Sequence, residues 1–90
     1  MTKEKEAILP SSDEMIEKER NLILFNDDVN SFDFVIQTLM EICDHTPEQA
    51  ETCAWITHFK GKCAVKSGSL DQLNPFKQAL LERHLTASIQ

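Results

Sequence analysis

The residues with the clearest chemical potential are Asn26, Asp27 and Asp28, which directly follow an apolar run, and His58 further along the chain. If the apolar run is a β-strand, the alternation of side chains puts Leu24, Asn26 and Asp28 on one side of it. His58 falls in the last turn of a predicted helix, where unpaired carbonyl groups concentrate partial negative charge. An amide oxygen, carboxylates and an imidazole that converge on one point would suit a small cation such as an ammonium group, and would suit a phosphate badly.

Each of these residues also has an ordinary structural interpretation. Asn and Asp side chains commonly bond their own backbone in the turn after a strand, and a histidine near a helix end commonly stabilises the helix dipole from the surface. Catalysis is another alternative, with His58 and Asp28 as an acid–base pair. The sequence has no nucleophile motif and no glycine-rich phosphate loop, since its only glycines are Gly61 and Gly68. We therefore predict a binding protein rather than an enzyme.

The length and charge of the chain argue against several other classes. Ninety residues make one small domain, and nine basic against fifteen acidic residues leave a net charge of −6. Such a surface does not displace counterions from nucleic-acid phosphates and is unfavourable for anionic membranes. No apolar run is longer than that of residues 22–25, which is far too short to span a bilayer. We expect no nucleic-acid partner and no membrane partner.

Cysteine usage indicates a reducing compartment. Cys43, Cys53 and Cys63 lie at ten-residue intervals, which is not the spacing of zinc ligands, and no C-x-x-C motif occurs. The N-terminus is charged and lacks the apolar segment of a secretory signal. We expect a cytoplasmic protein with free, mostly buried thiols, no metal and no cofactor. His45 and His84 are expected on the surface.

Helix signals divide the first half of the chain. Residues 21–26 read as a buried strand. Ser31 is a predicted N-cap for a helix over residues 32–43, and Thr46 with Pro47 begins a second helix that runs to residue 59. Gly61 is predicted to end this helix in the left-handed conformation.

The second half continues with a strand over residues 62–67, a third helix that begins at a capping box on Ser69, and a half-buried strand over residues 85–90. Asn74-Pro75 is expected either to restart the third helix or to kink it. The order β-α-α-β-α-β predicts an α+β fold, a small sandwich of a three-stranded antiparallel sheet packed against three helices. Residues 1–20, rich in both charges, are predicted to be a flexible N-terminal tail, and residues 21–90 the folded domain.

Four segments together resemble the ClpS family of bacterial adaptors, which deliver N-degron substrates to a Clp AAA+ unfoldase and its peptidase. The resemblance covers about residues 20–90 and rests on short motifs and the distance between them. These are Asn26-Asp27-Asp28, Phe34-Val35-Ile36, Glu48-Gln49-Ala50 and His58-Phe59-Lys60-Gly61-Lys62.

The resemblance implies a role for each matching position. It puts Asn26, Asp28 and His58 at the free α-amino group of the substrate, with Asp27 as the adjacent acid of the motif. It implies that the tail is fed toward the unfoldase pore, that Asp71 and Lys77 lie near the surface that docks on the unfoldase N-domain, and that the adaptor is a monomer. Seven further residues match the family's pocket for a bulky first side chain, namely Leu, Phe, Tyr or Trp: Leu24, Asn30, Phe32, Val35, Ala54, Thr57 and Leu85.

Some positions depart from the family pattern. Phe32 stands where the family usually has a methionine that rejects β-branched side chains, Ala54 replaces a larger residue, and Thr57 adds a hydroxyl to the pocket wall. A shortened stretch between Gly61 and Leu85 implies a short third helix. Trp55 is expected to pack against the protein rather than against a ligand.

One competing hypothesis has no recognition of N-terminal residues. It is a purely structural protein-binding domain, such as a ribosomal stalk-like α+β module. The discriminating observation is whether the chain prefers a peptide that begins with Phe over its acetylated form.

Overall fold

The computed structural model describes residues 18–90 and confirms the predicted fold class. Over these residues the chain forms three strands and three helices: β1 (Arg20–Phe25), α1 (Phe32–Ile42), α2 (Pro47–Lys60), β2 (Lys62–Gly68), α3 (Leu70–Glu82) and β3 (Thr86–Ile89). Most of the segment predicted as a flexible tail lies outside the described residues, and of its last three residues Arg20 already belongs to β1.

The sheet has the strand order β2-β1-β3, and both pairings are antiparallel. Phe25 at the end of β1 pairs with Lys62 on one side and with Thr86 on the other. The strand that ends in the Asn-Asp-Asp motif is therefore the central one, held by neighbours on both sides. Its position fixes where the following loop leaves the sheet.

Local signals set the helix ends as the sequence predicts. The Ser31 hydroxyl accepts a hydrogen bond from the Phe34 amide, and Thr46 accepts one from the Gln49 amide. Ser69 and Gln72 form the predicted capping box. Gly61 ends α2 with φ 95°, and its amide donates to the Thr57 carbonyl at 2.9 Å.

The third helix differs from the prediction. It runs without a break over thirteen residues, so it is neither short nor restarted at Asn74. Pro75 lies inside it and removes one backbone hydrogen bond. The capping box fixes the start of the helix before the proline, and the fully buried Leu73 and Leu80 hold both sides of Pro75 against the core. These tertiary contacts outweigh the local cost of the proline.

A single hydrophobic cluster connects all six elements. Its fully buried members include Leu22 and Leu24 of β1, Leu39 of α1, and Leu73 and Leu80 of α3. Burying a side chain of this size is worth roughly 1.5–3 kcal/mol. The core thus holds the central strand in place, and the start of the loop at its end is fixed as well.

The histidines and cysteines complete the core. His45 was expected on the surface but is 7% exposed, because its Nε2 donates to the Val65 carbonyl at 2.7 Å. His84 is exposed as expected. Cys43 and Cys53 are buried and Cys63 is half-buried, all as free thiols. Burial raises the pKa of Cys43 to about 11 and of Cys63 to about 12, so these thiols are poor nucleophiles.

No helix within residues 18–90 is long and apolar enough to cross a membrane.

The left-handed end of α2 gives a clean stability test. A β-carbon at Gly61 would meet no atom within 4 Å, so a substitution there costs only backbone strain. We expect Gly61→Ala to lower the free energy of unfolding by about 1–2 kcal/mol in urea titrations. Gly61→Asn should lose less, because Asn tolerates the left-handed region. Equal losses for the two variants would contradict this account.

Candidate functional site

The site is a cavity of about 450 Å³ between the β1–α1 loop, residues 26–31, and the second half of α2. We call its polar residues Asn26, Asp28 and His58 the rim, and its apolar residues Phe32, Val35, Ala54 and Trp55 the wall. Its lining comprises Asn26, Asp27, Asp28 and Asn30 from the loop, Phe32 and Val35 from α1, and Ala54, Trp55, Thr57 and His58 from α2.

One backbone contact brings the two ends of the site together. The Asn26 amide donates to the Gly61 carbonyl at 2.9 Å, which joins the end of β1 to the C-terminal cap of α2. His58 lies in the last turn of α2, one turn before that cap. The Asn-Asp-Asp motif and His58 therefore border the same cavity, although they are far apart in the sequence.

Asp27 has the structural role that an Asx turn gives it. Its carboxylate accepts hydrogen bonds from the Val29 amide at 2.9 Å, from the Asn30 amide at 2.8 Å and from Asn30 Nδ2 at 3.0 Å. Burial raises the pKa of the Asp27 carboxyl, but the bonds from Asn30 and Val29 together lower it below its ordinary value. The turn interpretation is thus correct for Asp27.

Asn30 connects this turn to the rest of the fold. Besides its bond to Asp27, its Nδ2 donates to the His84 carbonyl at 3.0 Å, at the turn between α3 and β3. The loop is therefore held at its base by β1, along its length by Asp27, and at its far side by the α3–β3 turn. Asn30 lines the cavity, but its amide group serves the loop.

Asp28 differs from its neighbour. It is exposed, and within residues 18–90 neither it nor His58 takes part in a side-chain hydrogen bond, in contrast to Asp27. Asn26 is likewise exposed at the rim. All three residues line the cavity, and their side chains offer an amide oxygen, a carboxylate and an imidazole. This is the acceptor set that an ammonium group with three donors requires.

Aromatic and small residues form the apolar wall. The Phe32 and Trp55 rings meet edge-to-face with centroids 4.7 Å apart. Ala54 is 3% exposed and contributes only a methyl group to the lining. Thr57 is buried, and its hydroxyl donates to the Cys53 carbonyl at 2.8 Å, so its polar hydrogen is already bonded within α2.

Leu24 and Leu85 lie below the main cavity rather than on its wall. They are 1% and 3% exposed and line a narrow extension of about 20 Å³. This extension shares Asn26, Asp27 and Asn30, together with Val35 and Thr57, with the main cavity. The predicted pocket residues are thus brought together on two levels, with the two leucines at the bottom.

Trp55 is the lining residue that the sequence interpretation missed. As expected, it packs against the protein, on the Phe32 and Phe59 rings, but it also lines the cavity and remains 45% exposed. Residues three apart share a helix face, so the spacing of Trp55 and His58 was the available signal.

Asp71 and Lys77, the predicted docking residues, are not part of the cavity. Both lie on α3, with Asp71 exposed in its first turn and Lys77 half-buried. The described residues contain no group of three side chains suited to hold a metal ion.

Two comparisons with known proteins return a match and one does not. The family model described as ATP-dependent Clp protease adaptor protein ClpS matches residues 16–88. Among solved structures, the chain is similar to Agrobacterium tumefaciens ClpS2 bound to L-phenylalaninamide, with a TM-score of 0.74. The two sequences are 20% identical, and the match covers 81% of this chain and 95% of that one, so the likeness concerns the fold. No curated protein matches the chain.

The Asp27 turn predicts an acid-sensitive part of the stability. Since the pKa of Asp27 is lowered in the folded protein, its contribution is complete above its ordinary pKa of about 4 and is lost as the pH falls through the lowered value. We expect Asp27→Asn to lower the free energy of unfolding by about 1–2 kcal/mol at neutral pH.

Urea titrations at several pH values measure this difference. It should shrink as the pH falls below about 4. Glu51→Gln, at an exposed position on α2, removes the same charge and is the matched control. A difference between wild type and Asp27→Asn that does not change with pH would contradict the assignment.

Proposed function

The chain belongs to the ClpS family of ATP-dependent Clp protease adaptor proteins, and we propose that it recognises N-degron substrates in the cavity beside the β1–α1 loop. The cavity binds the free α-amino group and the bulky hydrophobic first side chain of the substrate. The adaptor then delivers the substrate to a Clp AAA+ unfoldase-peptidase.

The observation that carries this proposal is the union of a polar rim and an apolar wall in one cavity. Asn26, Asp28 and His58 face it from the rim, and Phe32 and Trp55 from the wall. An N-terminal residue is the part of a protein that carries a cation and a side chain on the same carbon atom. A cavity of this volume is within the usual range for small-ligand sites, about 300–1,000 Å³.

The chemistry of binding involves no bond making or breaking. Each charge-assisted hydrogen bond from the ammonium group contributes roughly 1.5–3 kcal/mol, and burial of a Phe or Leu side chain a further 1.5–3 kcal/mol or so. Ordering of the peptide opposes this sum, so we expect micromolar or sub-micromolar affinity. Acetylation removes the positive charge and two donors and leaves the acceptors of the rim unpaired.

The ligand of the structural neighbour is consistent with this assignment. L-phenylalaninamide, bound to Agrobacterium tumefaciens ClpS2, has a free α-amino group and a benzyl side chain. We propose the same two-part recognition for this chain, with Leu, Phe, Tyr and Trp as the accepted first residues.

Selectivity among first residues depends on the wall. We propose that Leu24, Asn30, Val35 and Leu85, on or below the wall, set the depth of the pocket, while Phe32, Ala54 and Thr57 shape its width. Ala54 enlarges the cavity and the Phe32 ring restricts it from the opposite element. Because the Thr57 hydroxyl is bonded to the Cys53 carbonyl, it does not penalise an apolar side chain as a free hydroxyl would.

Delivery requires a second contact, which we assign to α3. Asp71 and Lys77 are proposed to contact the unfoldase N-domain, on an element that is not part of the substrate cavity. Substrate and unfoldase can then bind at the same time. We further propose that the adaptor acts as a monomer in the cytoplasm.

Substitutions at the rim test substrate recognition. For a fluorescent peptide that begins with Phe, we expect Asp28→Asn and His58→Ala each to weaken binding by about 10- to 100-fold, because each removes one acceptor of the ammonium group. Asp33→Asn, an exposed acid in the first turn of α1, changes the net charge as Asp28→Asn does and is the matched control. Fluorescence anisotropy gives the affinities. If the wild-type protein binds the acetylated peptide as tightly as the free peptide, the proposal is wrong and a general interaction module is favoured.

Charge reversal on α3 tests delivery separately. We expect Asp71→Lys combined with Lys77→Glu to abolish co-sedimentation with the N-domain of a Clp unfoldase, because both contacts become repulsive. Peptide affinity should remain within about two-fold of wild type, since no residue of α3 lines the cavity and salt screens exposed charges. Unchanged binding to the N-domain would refute the assignment of these two residues.

A further inference from the structure

Three aromatic rings form a continuous strip on the surface next to the cavity. Phe32 and Trp55 meet edge-to-face at 4.7 Å, and Trp55 and Phe59 stack with centroids 4.9 Å apart and planes 2° apart. Trp55 is 45% exposed and Phe59 is 68% exposed. We call Phe32, Trp55 and Phe59 the aromatic strip.

Packing within the fold does not account for the strip. Neither Trp55 nor Phe59 belongs to the hydrophobic cluster or to the partly buried residues around it. Stacked aromatic pairs are stabilising, but this stack leaves a large apolar surface exposed to water. Exposed apolar residues that are contiguous, rather than scattered singly, are typical of an interaction surface.

The strip begins inside the cavity and ends outside it. Phe32 and Trp55 line the cavity, whereas Phe59 does not. The Phe59 ring also packs edge-to-face against the His58 ring, with centroids 4.8 Å apart. The outer end of the strip therefore adjoins the rim residue to which we assign the ammonium group.

This arrangement limits what can cover the strip. A peptide with its amino group at His58 and its first side chain in the cavity must continue away from both. Successive Cα atoms are about 3.8 Å apart, so the second and third residues stay close to the first. Trp55 lines the cavity and Phe59 stacks on it at 4.9 Å, so both rings are near these residues. The downstream residues of the substrate are thus the groups that the cavity itself brings to the strip.

We propose that the outer part of the aromatic strip, Phe59 with the exposed part of Trp55, is a second binding subsite, for a large apolar or aromatic side chain at the second or third position of the same N-degron. This inference rests on the proposed function and extends it. The affinity of a substrate would then depend on its first three residues and not on the first residue alone. Acidic side chains are disfavoured there, because Asp27 and Asp28 lie at the same cavity.

Peptides that share Phe at the first position test the subsite. One set carries Leu, Trp, Gly, Glu or Arg at the second position with Gly at the third, and a second set reverses the two positions. For wild type we expect the best Leu or Trp peptide to bind about five- to ten-fold more tightly than Phe-Gly-Gly, and the Glu peptides to bind more weakly than Phe-Gly-Gly.

Variants test whether the aromatic strip causes the preference for Leu or Trp peptides. We define the affinity ratio as the affinity for the best Leu or Trp peptide divided by that for Phe-Gly-Gly. Phe59→Ala should reduce this ratio to near one, and Trp55→Leu should reduce it in part. Ile56→Ala removes another exposed apolar side chain of α2 and should leave the ratio unchanged. Urea unfolding of each variant checks that the fold is intact, as expected for exposed positions.

Each outcome decides the matter. A wild-type ratio near one, with Phe-Gly-Gly still bound and its acetylated form rejected, overturns the subsite and leaves the proposed function standing. Tighter binding of the Arg peptides than of the Leu and Trp peptides overturns it as an apolar subsite. A dimer in light scattering that Phe59→Ala dissociates, with a ratio near one, assigns the strip to a second copy of the chain. Failure to bind any Phe-first peptide overturns the subsite and the proposed function together.

Discussion

The hydrogen bond from the Asn26 amide to the Gly61 carbonyl is the contact on which the site depends. It joins the end of the central strand to the left-handed end of α2. On one side the strand is fixed by two antiparallel neighbours and by leucines in the core. On the other side, the helix direction is fixed by its cap. With both ends rigid, two motifs that are distant in the sequence border the same cavity without a flexible segment between them.

The two adjacent acids in the loop after the central strand have different surroundings. The Asp27 carboxylate accepts hydrogen bonds from Val29 and Asn30 and so shapes the turn. Asp28 has no such partner among residues 18–90 and lines the cavity as an exposed residue. The structural and the functional interpretations of the Asn-Asp-Asp motif were therefore not true alternatives. The structural interpretation holds for Asp27, and the functional one is our proposal for Asp28, whose position depends on the turn that Asp27 forms.

The sequence predicts the features that depend on neighbours along the chain. Ser31, Thr46 and Gly61 act through backbone groups within a few residues, so the bounds of α1 and α2 follow closely from them. Features that depend on distant contacts were missed. His45 is buried because of a carbonyl twenty residues away, and α3 is longer than expected and does not restart at Asn74, because core contacts hold both sides of Pro75. Trp55 is an intermediate case, since its helical spacing from His58 was visible but its exposure was not.

The exposed stack of Trp55 on Phe59 has a practical consequence. Trp55 is the only tryptophan in the chain and there is no tyrosine, so it dominates the ultraviolet emission of the protein. Its indole borders the cavity and is 45% exposed to solvent, which makes its emission sensitive to the polarity of whatever occupies that space. The molecule thus carries a native optical probe at the edge of its own cavity, and occupancy can be followed on unlabelled protein.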